Sequence, residues 1–543
     1  MAWSTVGVVV LLFLAYFLKK IFPRYLKYRA LKVIPGPECG FWIGQFLTVF
    51  REPFLQPHKI WWKEIVGYDA PVMRYSKFLG DNMIVVLDPE IIKDILMAPV
   101  TKNNARFYKP YVKGPLTAII GNGLVTLEGE EWMQHRRLIQ PAFSLSFLKD
   151  ALGECVPEKV AAFLQYWIDA GSDHEIDVSL HLSALTLDVI GEAGFSYNCN
   201  GLADMKSWAA EAVKMQEKVK GGESTSPQLS DPLITSMNAL LTPDIRRLIL
   251  YILGLGKLDP IFNTKTIRVQ SAMNNTIDNI IAMAKQKQQQ QSNTGESSGK
   301  VESTKSLLAL LLQNEQDSDS TGGDSKKPAV LSDLELRDEI KTFLFAGHET
   351  TSTWCTWAMF ALAKYPDVQE KLYQDVMLHA PKDIIDNISL DQVDSMEYLA
   401  VFLQEVLRLY PPVGLTLRNN RYEEKIAGYT IPKDTTLCVP VHLMHRHPKY
   451  WEDPELFSPE RWMKCGGMDN RGFTFLPFGA GGHNCIGYRF ATYEAKLIMA
   501  HMVRALRIEI APSQRDVEHT FTSSVTMKAK PGLKVVVKPR KVV

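Results

Sequence analysis

The chain has 543 residues, 46% hydrophobic and 22% charged, and its 61 Lys and Arg nearly cancel 60 Asp and Glu to leave a net charge of +1. That balance excludes a dedicated nucleic-acid binder, whose basic face shifts the total, and a mean hydropathy just below zero excludes a bundle of membrane spans. Seven cysteines, at 39, 155, 199, 355, 438, 465 and 485, are too scattered for a disulfide framework and suit a reducing compartment.

The near-neutral average conceals a bias at the N-terminus. Residues Trp3 to Leu18 carry no charge, whereas Lys19, Lys20, Arg24, Lys27, Arg29 and Lys32 follow with no acid before Glu38. An apolar helix of that length spans about 24 Å, somewhat short of a hydrocarbon core of about 30 Å. A cleaved signal peptide is the plainer alternative, but no Lys or Arg precedes the apolar run and no small-x-small site follows it. The expectation is a single uncleaved anchor over 1–18 with the basic side kept in the cytosol. A basic neck and Pro-rich hinge over 19–37 come next, stiffened by Pro35 and Pro37. The body from 38 to 543 then holds 55 basic and 60 acidic residues, a net of −5.

Within that body, Met83-Ile84-Val85-Val86-Leu87, bounded by Asp81-Asn82 and Asp88-Pro89, reads as a strand of a small sheet. Helical periodicity dominates afterwards, up to about 415. Two polar, low-complexity stretches, about 286–300 and 314–328, read as solvated loop insertions within one domain. Between them, Leu307, Leu308, Leu310, Leu311 and Leu312 suffice for a short buried helix. The longest helix is expected over 331–363, started by a capping box of Ser332 and Glu335 and closed before Pro366. Its middle, Ala346-Gly347-His348-Glu349-Thr350-Thr351, is unusual. A mid-helix glycine costs about 1 kcal/mol relative to alanine, and threonine hydroxyls can bond the i−4 carbonyl and open the ladder. Taken alone, the segment reads as a kink at least as readily as a site.

Near the C-terminus, Phe478-Gly479-Ala480-Gly481-Gly482-His483-Asn484-Cys485-Ile486-Gly487 packs three glycines into four positions, which suits neither helix nor strand. It is a loop whose backbone approaches something closely, and a helical run from Arg489 to Val503 follows it. Amides at a helix N-terminus favour the thiolate, the metal-ligating form of Cys485. A lone cysteine is ordinarily a small buried hydrophobe, and zinc would require more ligands at close spacing. One sulfur in such a loop points to an axial thiolate on haem iron.

The loop resembles the haem-ligand signature of the cytochrome P450 superfamily, Phe-x-x-Gly-x-[Arg/His]-x-Cys-x-Gly, at Phe478, Gly481, His483, Cys485 and Gly487. Histidine at 483 stands where arginine is commoner. Four further motifs agree in order and separation. Glu405-Val406-Leu407-Arg408 resembles the E-x-x-R pair, and Pro459-Glu460-Arg461-Trp462 the P-E-R-F element, implying a buried structural cluster of Glu405, Arg408 and Arg461. Ala346 to Thr351 resembles the distal-helix motif, with Glu349 and Thr350 as the catalytic proton relay and Gly347 as the opening for O2. Trp132 and Arg136 match a W-x-x-x-R element that holds a haem propionate, and Arg418 takes the place of a second propionate arginine. The resemblance covers nearly everything after residue 34. It implies a mainly α fold with small β-sheets, haem b lying between the long distal helix and the Cys485 loop.

The likeness extends loosely to the microsomal fatty-acid hydroxylase branch, whose glutamate before the helix glycine esterifies the haem. Here that residue is Ala346, so no covalent link is expected and terminal regioselectivity is not implied. An apolar helix surface around Phe343, Leu344, Ala346 and Thr351 suits a lipophilic substrate: fatty acid, sterol, terpenoid or xenobiotic. The sequence shows no appended flavin domain, so the implied electron donor is a separate NADPH–cytochrome P450 reductase, with cytochrome b5 as a further partner. His135, Arg137, Lys464, Arg471 and Lys496 are candidates for its docking face. The implied setting is the endoplasmic reticulum membrane, with the catalytic body in the cytosol. Two alternatives stay open: a reductase-independent peroxide isomerase or dehydratase, and a non-catalytic, membrane-tethered haem or lipid sensor.

Overall fold

The computed structural model describes residues 17–49, 55–101, 105–110, 115–203, 250, 264–293, 306–312, 331–381, 387–465, 468–522 and 526–540. All but the end of the expected anchor, and the stretch 314–328, lie outside those residues. Among the described residues, no helix is long and apolar enough to cross a membrane. The basic neck forms two helical segments, Phe17–Ile21 and Phe22–Leu31, and Tyr28 and Leu31 pack inward from the second.

A five-stranded sheet occupies one side. Its strands are β1 (Val72–Ser76), β2 (Asn82–Val86), β3 (Phe107–Tyr108), β4 (Thr416–Asn420) and β5 (Thr436–Val439), in the order β1-β2-β5-β4-β3. β2 runs parallel to β5, with Ile84 opposite Leu437, and the other pairs are antiparallel. The expected strand at Met83–Leu87 is therefore the second of this sheet. Pairing of β3 with β4, Phe107 opposite Asn420, brings chain segments some three hundred residues apart to one edge.

Helices supply the rest: α1 (Gly129–Ile139), α2 (Val178–Phe195), α3 (Thr264–Asn293), α4 (Asp333–Lys364), α5 (Glu397–Leu409) and α6 (Tyr488–Ala505). α4 runs through the largest apolar core and packs against α2, α3, α5 and α6. Its start is the capping box read from the sequence, Ser332 and Glu335 satisfying each other's backbone. The short helix expected among the leucines spans 307–312 and buries Leu307, Leu308 and Leu312.

Two expectations need correction. The polar stretch from 286 does not begin a loop, because α3 continues through its glutamines to Asn293. Gln and Lys are good helix formers, and a polar composition marks a solvated face as readily as a loop. α4 also stays helical across Gly347 rather than opening there. A Cβ at Gly347 would lie 3.2 Å from Ile190 of α2, so the glycine serves a close helix crossing.

Candidate functional site

From Asp338 to Leu362, only Ala346, Gly347 and Thr350 of α4 are not buried. At positions i, i+1 and i+4 they share one face, the part of this stretch that stays partly open. Phe343, Leu344 and Thr351, expected on that face, are instead packed into the core. Thr350 Oγ1 donates to Ala346 O at 2.6 Å, the i−4 bond anticipated for this threonine. Glu349 points elsewhere: its Oε1 accepts from Thr526 Oγ1 at 2.7 Å and pairs with Lys528 Nζ at 3.0 Å, while Oε2 is buried without a partner among the described residues. The acid and Thr350 thus share no hydrogen bond, because consecutive helix positions diverge by about 100°.

Facing α4 is the glycine-rich loop. Trp354, one turn beyond Thr350, meets Phe478 edge-on with ring centroids 6.0 Å apart. Phe143 bridges Phe343 of α4 and Phe490 of α6 at 5.8 and 6.5 Å. Gly481 has φ +71, and a Cβ there would lie 1.9 Å from Leu96 O, so the close approach that demands glycine is to backbone. Cys485 N donates to Phe478 O at 2.9 Å, closing the loop, and Gly487 starts α6.

Cys485 is exposed by surface area yet enclosed by protein, so it faces an internal cleft rather than the outer surface. Burial raises its thiol above the ordinary value despite opposing pulls from the Gly487 amide and Arg136. The helix N-terminus therefore acts in the expected direction, but desolvation outweighs it.

Around the loop's flank sits an unusual concentration of positive charge. Arg136 of α1 donates to Asn484 O and Oδ1 at 2.9 and 2.8 Å. Arg418 of β4 is buried and, among the described residues, donates only to Leu417 O and Thr416 Oγ1. Lys109, just after β3, is 6% exposed, and its Nζ donates to Leu124 O and Val125 O. His483 lies edge-on to Trp132 at 4.3 Å, with a buried Nε2 that has no hydrogen-bond partner among the described residues. Burial, with Lys109, Arg418 and Arg136 nearby, pushes its pKa down to about 2. Lys109 escaped the sequence reading because an isolated Tyr-Lys-Pro carries no spacing signal.

The third constellation is structural. Glu405 is fully buried and accepts from Arg408 Nε and Nη2 at 2.8 and 2.9 Å, Arg461 Nε at 3.0 Å, Trp462 Nε1 at 2.9 Å and Ser458 N at 2.8 Å. Arg408 donates onward to three carbonyls, including His445 O at 3.1 Å. His445 Nε2 in turn accepts from Leu476 N at 2.8 Å, tying the cluster to the segment that enters the Cys485 loop. The expected docking set contracts: His135 is buried against Glu339 at 2.7 Å and Lys496 against Asp394 at 2.7 Å, while Arg471 stacks over Trp451. Arg137 and Lys464 remain exposed.

Comparison with known proteins agrees with this architecture. The chain is similar to cytochrome P450 4A11 of Homo sapiens, 28% identical over 93% of this chain and 88% of that one. It is also similar to cytochrome P450 4A10 of Rattus norvegicus, 29% identical over 83% and 80%, and to cytochrome P450 4c21 of Blattella germanica, 26% identical over 90% of each. Since the family model for cytochrome P450 matches residues 36–536, nearly the whole chain, the protein belongs to the cytochrome P450 family of monooxygenases, whose cofactor is haem b on a cysteine thiolate.

Proposed function

We propose that this chain holds haem b between the Cys485 loop and the open face of α4, and inserts one atom of O2 into a lipophilic small molecule with electrons from an NADPH–cytochrome P450 reductase. The observation that carries this reading is a cluster of buried and half-buried cations that, among the described residues, make no salt bridge to a carboxylate. Lys109, Arg136 and Arg418 are three cations against the single carboxylate of Glu128, which lies 3.8 Å from His483 Nε2. Glu339 is already engaged by His135. Two ionised propionates fit that surplus, and the enclosed Cys485 sulfur fits an axial iron ligand. An iron cation would also offset the desolvation that raises the thiol, because a coordinating thiol is deprotonated outright.

The bound haem supplies the oxidising chemistry, and the chain's own residues bind, orient and deliver protons. Thr350 Oγ1 spends its proton on Ala346 O, which leaves its lone pairs toward the open face as acceptors. Glu349 has one oxygen fixed by Thr526 and Lys528 and one free; Lys528 is 42% exposed, so this carboxylate joins the surface to the helix interior. Trp132, Arg136, Arg418 and His483 position the porphyrin edge, Phe478 shields the sulfur, and Gly481 and Gly487 shape the loop. The substrate is a fatty acid, sterol, terpenoid or xenobiotic, bound above Ala346. Residues 1–18 anchor the protein in the endoplasmic reticulum membrane, with cytochrome b5 and membrane lipids as further partners.

Replacement Thr350→Ala removes the relay hydroxyl without disturbing a buried contact. The expected outcome is uncoupling, with NADPH oxidised to peroxide at a near-normal rate and product falling about tenfold; unchanged coupling contradicts the relay role. NADPH consumption with purified reductase also separates the two alternatives, because a sensor consumes none and a peroxide isomerase turns over without it.

A further inference from the structure

The sequence left a charge deficit at the loop, where His483 replaces the commoner arginine, and the fold places an unassigned cation at the same point. We propose that Lys109 supplies the positive charge that an arginine at 483 would bring, and that Lys109, Arg136 and Arg418 together hold the two haem propionates of this chain.

Lys109 is brought there by the sheet. β3 pairs with β4, so the residue after Tyr108 lies at the edge where Arg418 enters. Its backbone N–H donates to Glu128 Oε1 at 2.7 Å, which fixes the chain direction. Its Nζ donates to Leu124 O at 2.9 Å and Val125 O at 3.1 Å. Those two carbonyls orient the ammonium without neutralising it, and an ammonium has three donors. One is uncommitted. No carboxylate among the described residues makes a salt bridge to Nζ, although the side chain is buried beside the Trp132 ring. A buried ammonium without an anionic partner is costly, and a well-placed anion offsets that cost.

The charge count gives the size of that anion. Three cations against Glu128 leave two positive charges, which match two ionised carboxylates and exceed what one would require. An arginine at 483 in addition would overshoot. Burial brings Lys109 down to about 7, with Glu128 pulling it up and Arg418 and Arg136 pushing it further down, so the full charge in that count is one that an arriving carboxylate restores.

The proposal rests on haem occupying this site, which the Soret band of the unaltered holoenzyme reports separately. The test is the rate of ferric haem transfer from the full-length holoenzyme to excess apomyoglobin. Lys109→Gln keeps a donor for the carbonyls and removes the charge, and is expected to lose haem about tenfold faster. Adding His483→Arg to that variant is expected to bring the rate back to within about twofold of the unaltered protein. With haem dimethyl ester in place of haem, Lys109→Gln and the unaltered protein are expected to release it equally fast. Unchanged haem loss in Lys109→Gln, no slowing by His483→Arg, or a difference that persists with the ester would each overturn the proposal. If Lys109→Gln alone yields no holoprotein, the double variant decides: recovered holoprotein supports the proposal and none overturns it.

Discussion

Gly481 and Lys109 are opposite cases at the scale of single residues. Glycine at 481 could be picked out from sequence because three glycines in four positions have few structural uses, and the structure supplies the reason in its φ of +71 and the adjacent Leu96 carbonyl. Gly481→Ala forces a Cβ to 1.9 Å from that oxygen. It is expected to destabilise the fold by more than about 1 kcal/mol and to abolish haem incorporation, read from the Soret absorbance per mole of protein. Normal incorporation would contradict the packing argument. Lys109 was not legible, because its meaning depends on β3 meeting β4 across some three hundred residues. Glu349 and Thr350 were legible as residue types, but not their separate partners: Thr526 and Lys528 come from a C-terminal segment with no motif of its own.

Elements follow local signals where those signals are two-sided. α4 begins where the capping box said it would, since Ser332 and Glu335 name both a donor and an acceptor. Ser332→Ala is expected to lower stability by about 1 kcal/mol, read as a shift in the unfolding midpoint with the reduced-CO spectrum unchanged. A shift indistinguishable from zero would show that tertiary packing alone sets this end. α3 went the other way, because composition marked a loop where propensity and one solvated face sustain a helix to Asn293. α5 carries Glu405 and Arg408 one turn apart, and the partner loops close over them so completely that neither is accessible. Glu405→Ala strands two guanidinium groups at about 3–5 kcal/mol. No folded holoprotein is expected, and a variant with a normal Soret spectrum and thermal stability would defeat the structural assignment.

Across the whole molecule, the three parts of the proposed site come from distant parts of the chain: the distal face from α4, the loop from just before α6, and the cations proposed for the propionates from α1, the residue after β3, and β4. The sequence disclosed the family-wide skeleton because each motif is compact. It did not disclose the electrostatic balance, which exists only after folding. The near-zero net charge likewise divides into a basic neck and a body of −5, and two of the five basic residues expected on a docking face, His135 and Lys496, are consumed internally. Reductase-supported turnover should accordingly depend only modestly on ionic strength, falling less than about tenfold between low and physiological salt. A steeper fall would point to a larger basic face.

The central claim is that this chain transfers one oxygen atom from O2 to a lipophilic molecule at the expense of NADPH. Its most direct test is mass spectrometry of a membrane lipid extract incubated with the protein, purified reductase and NADPH under isotopically heavy O2. The expected result is a product heavier than its precursor by one labelled oxygen atom, absent without NADPH and absent in Cys485→Ala. No labelled product, or the same product formed without NADPH, would contradict it.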